Sequence, residues 1–365
     1  MFAPDEGKLK FMYRKYLFFI LVVSMVFANS CVQAPSGSNN TSAEKPKSGK
    51  LRIGFSMDTL KEERWQKDRD LFVRRAEELG AEVLVQAADG RDETQIKQAE
   101  SLLTQGIDVL VVIPHNAEVA GTIVAAAKRQ NVPVISYDRL IKNSEPDLYI
   151  SFDNEKVGEM QAKYLLEKAP KGNYILIGGA QTDNNAQLFR KGQMNVLQPA
   201  IDKGDIKIVA DLWARDWLAE EALKHTENAL TVINNDVTAI VASNDGTAGG
   251  AIQALSTQNL GGKVFVSGQD ADLAALQRIV EGTQSMTVYK PISQLAPRAA
   301  EAAVALAQRE KIPTTRTVNN GKIDVPSILL DPISVDKNNL DETVIKDGYQ
   351  TRANVYKNAA ANTKK

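Results

Sequence analysis

Cysteine is almost absent from this 365-residue chain: Cys31 stands alone, which excludes an internal disulfide framework and any cysteine-cluster metal site. Histidine is nearly as scarce. His225 falls in a predicted amphipathic helix as a surface residue, and His115 ends a strand, where it can touch a ligand or bond within its own loop. Charge of one sign is also missing. With 44 Lys and Arg against 45 Asp and Glu there is no basic field for nucleic acid and no acidic field for a basic partner, which leaves a small or neutral ligand. Common enzyme signatures are missing too: no phosphate-binding loop, no dinucleotide-binding glycine pattern, no nucleophile elbow and no His-Glu-x-x-His. The Gly178-Gly179 pair is too little for a phosphate loop, and the acidic residues from Asp336 to Asp347 lack calcium-loop spacing. No metal site and no cofactor are expected. The one long apolar run, Tyr16 to Phe27, is too short to span a membrane.

That run has the setting of an export signal. Arg14 and Lys15 precede it, and Ala28-Asn29-Ser30 lead to Cys31. The arrangement resembles a bacterial lipoprotein signal, in which the cysteine becomes the lipidated first residue of the mature chain; it departs at Ala28, where a larger aliphatic residue is usual. An ordinary secretory peptide with an incidental cysteine is the alternative. The expectation is a signal over residues 1–31, lipidation at Cys31, and a start at Met12, because residues 1–11 only add mixed charge ahead of a normal signal. Residues 32–50 are rich in Pro, Gly, Ser, Asn and Lys with little apolar content, a flexible tether. The folded body begins near Leu51, and residues 356–365 are expected to be a disordered tail.

Within the body, short apolar runs stop abruptly at polar residues. Val132 to Tyr137 ends at Asp138-Arg139, Val109 to Ile113 at Pro114-His115-Asn116, and Tyr149 to Phe152 at Asp153-Asn154. Tyr174 to Ile177 leads through Gly178-Gly179 to Asp183-Asn184-Asn185; Ala239 to Ala242 ends at Ser243-Asn244-Asp245, and Val264 to Val266 at Ser267-Gly268-Gln269-Asp270. This is how strands of a parallel α/β sheet end at the carboxyl edge, where ligands bind. Helical segments lie between them: one runs through Leu79 to Gly80, one from Glu93 to Gln105 with Asp92 as its cap and Gly106 as its stop, and one from Glu118 to Gln130. Alternation on this scale means doubly wound parallel sheets, and the length suits two such lobes. The Ala-rich helix from Ile292 to Arg309 is out of place in the second lobe. The chain is therefore expected to return to the first lobe there, and to change again near Asp324 to Val335.

The strand-end groups balance. Arg64, Arg139 and Lys290 stand against Asp138, Asp183 and Asp270, with Asn185 and Asn244 as amides that both donate and accept. A cleft built from them has little net charge and many directional hydrogen bonds, which suits a polyhydroxylated neutral ligand; Trp65 and Trp217 can pack on the apolar C–H faces of a sugar ring. Each residue also has a plain reading. Asp138-Arg139 can be a loop ion pair, Asn244 and Asp270 helix caps, and either tryptophan core.

Several of these stretches are specific: ERWQKDRD from Glu63, YISFDNEKVGE from Tyr149, DNNA from Asp183, ASNDGTAGGAIQALS from Ala242, SGQDADLA from Ser267 and TVYKPI from Thr287. On them, Leu51 to about Gly348 resembles the ribose/galactose-type periplasmic binding proteins of bacterial ABC sugar importers, in particular their D-xylose-binding members. The resemblance implies the type I fold: α/β, with two Rossmann-like doubly wound parallel-sheet lobes joined by three crossovers. It implies a first lobe of 51–153 and 290–325 and a second of 154–289 and 326–355, hinged near Asp153, Tyr289 and Pro326. Carried over residue by residue, it implies sugar contacts at Arg64, Asp138 and Arg139, at Asp183, Asn185, Trp217, Asn244 and Asp270, and at Lys290 in the crossover; Trp65 is added as a second stacking face. The expected partners are D-xylose and an ABC permease with its ATPase, with the protein a periplasmic monomer touching the membrane through its lipid alone. A sensor kinase or chemoreceptor that reads the closed form is the alternative. A transcriptional regulator is disfavoured, because an export signal stands in place of a helix-turn-helix. A sugar isomerase or epimerase is disfavoured for want of a metal site or acid/base pair.

Overall fold

The computed structural model describes residues 49–358. The expected signal, Cys31 and the tether through residue 48 lie outside these, as do residues 359–365. In the first lobe β1 (Arg52–Met57), α1 (Glu63–Glu78), β2 (Glu82–Ala87), α2 (Asp92–Thr104), β3 (Val109–Val112), α3 (Gly121–Arg129), β4 (Val134–Tyr137) and β5 (Leu148–Phe152) follow in turn. Gly80 and Gly106, at φ +84° and +77°, take the left-handed position that ends α1 and α2. Two expectations shift locally. Asp92 makes no capping bond and begins α2 as its first helical residue. The helix expected from Glu118 starts at Gly121, because the Asn116 side chain accepts from the Glu118 and Val119 amides and holds that stretch in a turn.

The second lobe runs through α4 (Asn154–Lys168), β6 (Gly172–Gly178), α5 (Asn184–Asp202), β7 (Ile206–Trp213), α6 (Ala219–Val232), β8 (Ala239–Ala242), α7 (Asp245–Thr257), β9 (Phe265–Val266), α8 (Leu273–Glu281) and β10 (Thr287–Tyr289). The chain then re-enters the first lobe as α9 (Ile292–Ala307), β11 (Arg316–Asn319) and β12 (Asp324–Leu330). It finishes in the second as β13 (Ile333–Val335) and α10 (Arg352–Val355).

The first sheet has the order β11-β12-β5-β4-β3-β1-β2, parallel except for the β11–β12 pair. The second has the order β7-β6-β8-β9, all parallel, and a Gln269–Val288 bridge continues it into the antiparallel β10–β13 pair. The inner strands β3, β4, β5 and β8 are buried over their whole length, because helices cover both faces. Each sheet therefore has two cores: α1 and α9 against α2 and α3 in the first lobe, and α6 and α7 against α4 and α5 in the second.

Three crossings join the lobes: after β5 at Asp153, after β10 at Lys290-Pro291, and after β12. The last differs from expectation. Strand β12 pairs with β5 as far as Leu330, so the chain crosses at Asp331-Pro332 and not at Pro326. Pro326 precedes the stretch paired with β5, so its missing N–H removes no bond to that strand. The tail also starts later than expected. Tyr356 packs on the C-terminal cluster around Val344 and Val355, and Asn358 donates to Glu281.

Candidate ligand-binding cleft

Strand β4 delivers Asp138 to the seam between the lobes. The backbone turns there, at φ +59°, and the Asp138 carbonyl accepts from the Tyr149 and Ser151 hydroxyls while its amide donates to Ile150. Its carboxylate lies 3.0 Å from Arg64 and 3.6 Å from Lys290, and accepts from Asn185 Nδ2 at 2.9 Å. Burial opposes ionisation of this group, but Arg64, Lys290 and Arg139 outweigh it and hold the carboxyl at about 2. Lys290 is fully buried, which together with the nearby Arg64 lowers its own pKa against the pull of Asp138 and Asp270.

Arg64 comes from the first turn of α1. Its guanidinium reaches Asp68 at 3.0 Å one turn along, Asp138 at 3.0 Å, and Asp270 of the second lobe at 3.5 Å. Asp68, buried behind it, also accepts from the Tyr137 hydroxyl, and burial pushes its carboxyl up. Arg139 binds Asp58 at 2.6 Å in its own lobe and Asp183 at 2.9 Å in the other. Both guanidiniums stand over the Trp65 ring, at 4.2 Å and 5.4 Å from its centroid.

In the second lobe Asp183 caps α5 through the Asn185 amide at 2.9 Å and accepts from Trp217 Nε1 at 3.2 Å. The Asn185 amide is oriented by Asn154, which donates to its oxygen at 3.0 Å, so the NH₂ end faces Asp138. Asn244 does cap α7, in a capping box with Thr247, and its carboxamide NH₂ is left to donate elsewhere. Gly179 has a purpose that is not phosphate binding: a Cβ there would meet the Trp217 ring at 2.2 Å. Asp216 and Trp217 both adopt positive φ, +52° and +58°, which turns the indole in against that glycine.

All ten residues singled out from the sequence line one cavity of about 320 Å³, part of which is open to solvent. Glu62, Phe189 and Gln269 line it as well, and Asp58 and Asp68 support it from behind. Signals for these existed. Asp68 follows Arg64 by four residues on one helix, Phe189 follows Asn185 by four on another, and Gln269 directly precedes Asp270. His115 is not in this cavity. It bonds Asp58 at 2.9 Å and lines a second space of about 570 Å³ beside it, with Lys61, Arg139, Asp216 and Trp217. His225 is half-buried against the Trp213 carbonyl. Among the described residues no group of three or more His, Cys, Asp or Glu is placed to hold a metal, and no helix is long and apolar enough to cross a membrane.

Such an arrangement offers directional hydrogen-bonding groups and apolar ring faces; its charges are paired with one another across the seam. The periplasmic binding protein domain family matches residues 53–311. The D-xylose-binding periplasmic protein of Haemophilus influenzae is 59% identical over 306 residues, 84% of this chain and 92% of that protein. The D-xylose-binding periplasmic protein of Escherichia coli is 58% identical over 299 residues, 82% of this chain and 91% of that one. Among solved structures, a carbohydrate transporter solute-binding protein of Chloroflexus aurantiacus in complex with D-glucose superposes with a TM-score of 0.79 at 33% identity, covering 83% of this chain and 98% of its own. By family match and by these likenesses, the chain belongs to the periplasmic binding proteins, which capture solutes and do not transform them.

Proposed function

We propose that this protein captures D-xylose by closure of its two lobes and delivers it to the permease and ATPase of an ABC importer. The observation that carries this reading is the cavity itself. Arg64, Arg139 and Lys290 meet Asp138, Asp183 and Asp270 across the seam, with two tryptophans beside them. Sugar hydroxyls can be shared between a guanidinium and a carboxylate, and the near-neutral sum neither demands nor repels charge on the ligand. The naming of the two relatives at 58–59% identity favours D-xylose among sugars. Contacts drawn from both lobes exist together only when the lobes are closed, so sugar favours closure by its differential affinity.

In this reading Arg64, Asp138, Arg139, Asp183, Asn185, Asn244, Asp270 and Lys290 bond the hydroxyls while Trp65 and Trp217 face the ring. The cavity is complete within one chain, which supports action as a monomer. Cys31, directly after an apolar run and before a polar tether, supports a lipid anchor that keeps the receptor near its permease.

Calorimetric titration with D-xylose, ribose, glucose and arabinose tests the reading. The expected result is one-site binding of xylose with much weaker response to the others, lost in Asn244→Ala and Asp270→Ala while both variants unfold cooperatively. No heat from any sugar, or unchanged binding in both variants, would overturn it.

A further inference from the structure

The seam between the lobes also holds contacts that lie outside the cavity. The first turn of α1 points Arg64 and Trp65 into the cavity, while its neighbours Glu63 and Lys67 meet the second lobe. Glu63 Oε2 accepts a hydrogen bond from the backbone amide of Leu273, the first residue of α8, at 3.0 Å. Its other oxygen accepts from Gln350 Nε2 at 2.6 Å. Lys67, one turn along, pairs with Glu63 at 2.8 Å, donates to the Tyr349 carbonyl at 2.8 Å and sits 4.0 Å over the Tyr349 ring. Leu273 and Tyr349 both pack on the C-terminal cluster of the second lobe.

Helix α8 does not cap itself. Asp272 occupies its N-cap position but makes no side-chain capping bond, and Asp272 Oδ1 is buried without a partner. The first amide of the helix is satisfied instead by a carboxylate from the opposite lobe, at the end of the helix dipole that favours negative charge. Burial opposes ionisation of Glu63, but the bonds from Lys67, Leu273 and Gln350 outweigh it and keep its carboxyl below the ordinary range.

We propose that Glu63 is a closure latch, a positioning residue that caps α8 across the seam only when the lobes are shut and so sets how long the sugar is held without touching it. The proposal rests on capture by closure. In an open form both the carboxylate and the Leu273 amide return to water, so the bond contributes to the closed state alone. A contribution of that kind appears in the rate of release, since opening must break it first.

Stopped-flow binding of D-xylose to the full chain tests this, with hydrogen exchange at the Leu273 amide of the sugar-saturated protein as a second readout. Glu63→Ala is expected to speed release roughly tenfold, with association unchanged and the Leu273 amide exposed. Glu63→Gln should fall between, since its amide oxygen still accepts from Leu273. Glu78→Ala, at the far end of α1, should match the unaltered protein in both readouts. Unchanged release in Glu63→Ala would overturn the latch, as would unchanged exchange at Leu273. If the unaltered protein binds none of the sugars, capture by closure falls and the latch with it, whereas sugar binding with unchanged release in Glu63→Ala overturns the latch alone.

Discussion

Asp138 stays ionised where water scarcely reaches because three bases surround it, and His115 is the opposite case, a base whose charged form is favoured by acids. Its Nδ1 lies 2.9 Å from Asp58, and its Nε2 lies 4.0 Å from both Asp92 and Asp216, while Arg139 adds an opposing positive charge. The bond to Asp58 is the largest influence and outweighs burial, so the imidazole pKa is raised. A raised folded value means that the stabilisation is fully present below the unfolded value of about 6.5 and is lost as pH rises through the folded value. His115→Gln should therefore lose more stability at about pH 5.5 than at about pH 8.5, by less than about 1 kcal/mol after allowance for solvent screening. Urea unfolding of both proteins at the two pH values checks this; equal losses would refute the charged pair. Residues of this kind were only partly legible. A strand that stops at Asp138-Arg139 announces polar groups at a sheet edge, whereas the partner each one takes depends on how two lobes meet. Arg139 with Asp183 and Arg64 with Asp270 are pairs that no local pattern could assign.

Among the elements, α4 and α5 touch backbone to backbone. A Cβ on Gly158 would meet the Phe189 carbonyl oxygen at 2.0 Å, and one on Gly192 would meet the Glu155 carbonyl oxygen at 1.9 Å. The two mid-helix glycines thus give up helix propensity for a close crossing, and that crossing sets where Phe189 meets the cavity. Gly192→Ala is expected to cost about 1–3 kcal/mol by overpacking and to weaken sugar binding through Phe189. A lower urea midpoint at unchanged slope, together with a weaker titration, would bear this out, and wild-type values of both would rule it out. Most elements were legible because apolar runs and glycine stops coincide with them. The misses have local causes: the Asn116 side chain holds residues 116–120 out of the helix, and Asp92 begins α2 without capping it.

For the molecule as a whole, two lobes act as one only if something spans them. The crossing at Lys290 was legible because the Ala-rich helix that follows it is out of place in the second lobe, while the one at Asp153 came only with the family resemblance. The third was misplaced because Pro326 reads as a break, although β12 continues past it to Leu330. Across the seam itself run Arg139–Asp183, Arg64–Asp270, Asn185–Asp138, and a backbone bond from Ala117 to the Thr182 carbonyl at 2.9 Å. A sugar set among these side chains links both lobes, so it should stabilise them jointly. At a free concentration of about 100 Kd the added stability is about 2.7 kcal/mol, which for a body of this size raises the unfolding temperature by roughly 5 °C. Calorimetric scans should then show one transition moving upward with D-xylose, and no movement in Asp270→Ala. A scan in which only part of the transition moves would mean that the ligand binds one lobe alone, and closure would lose its thermodynamic basis.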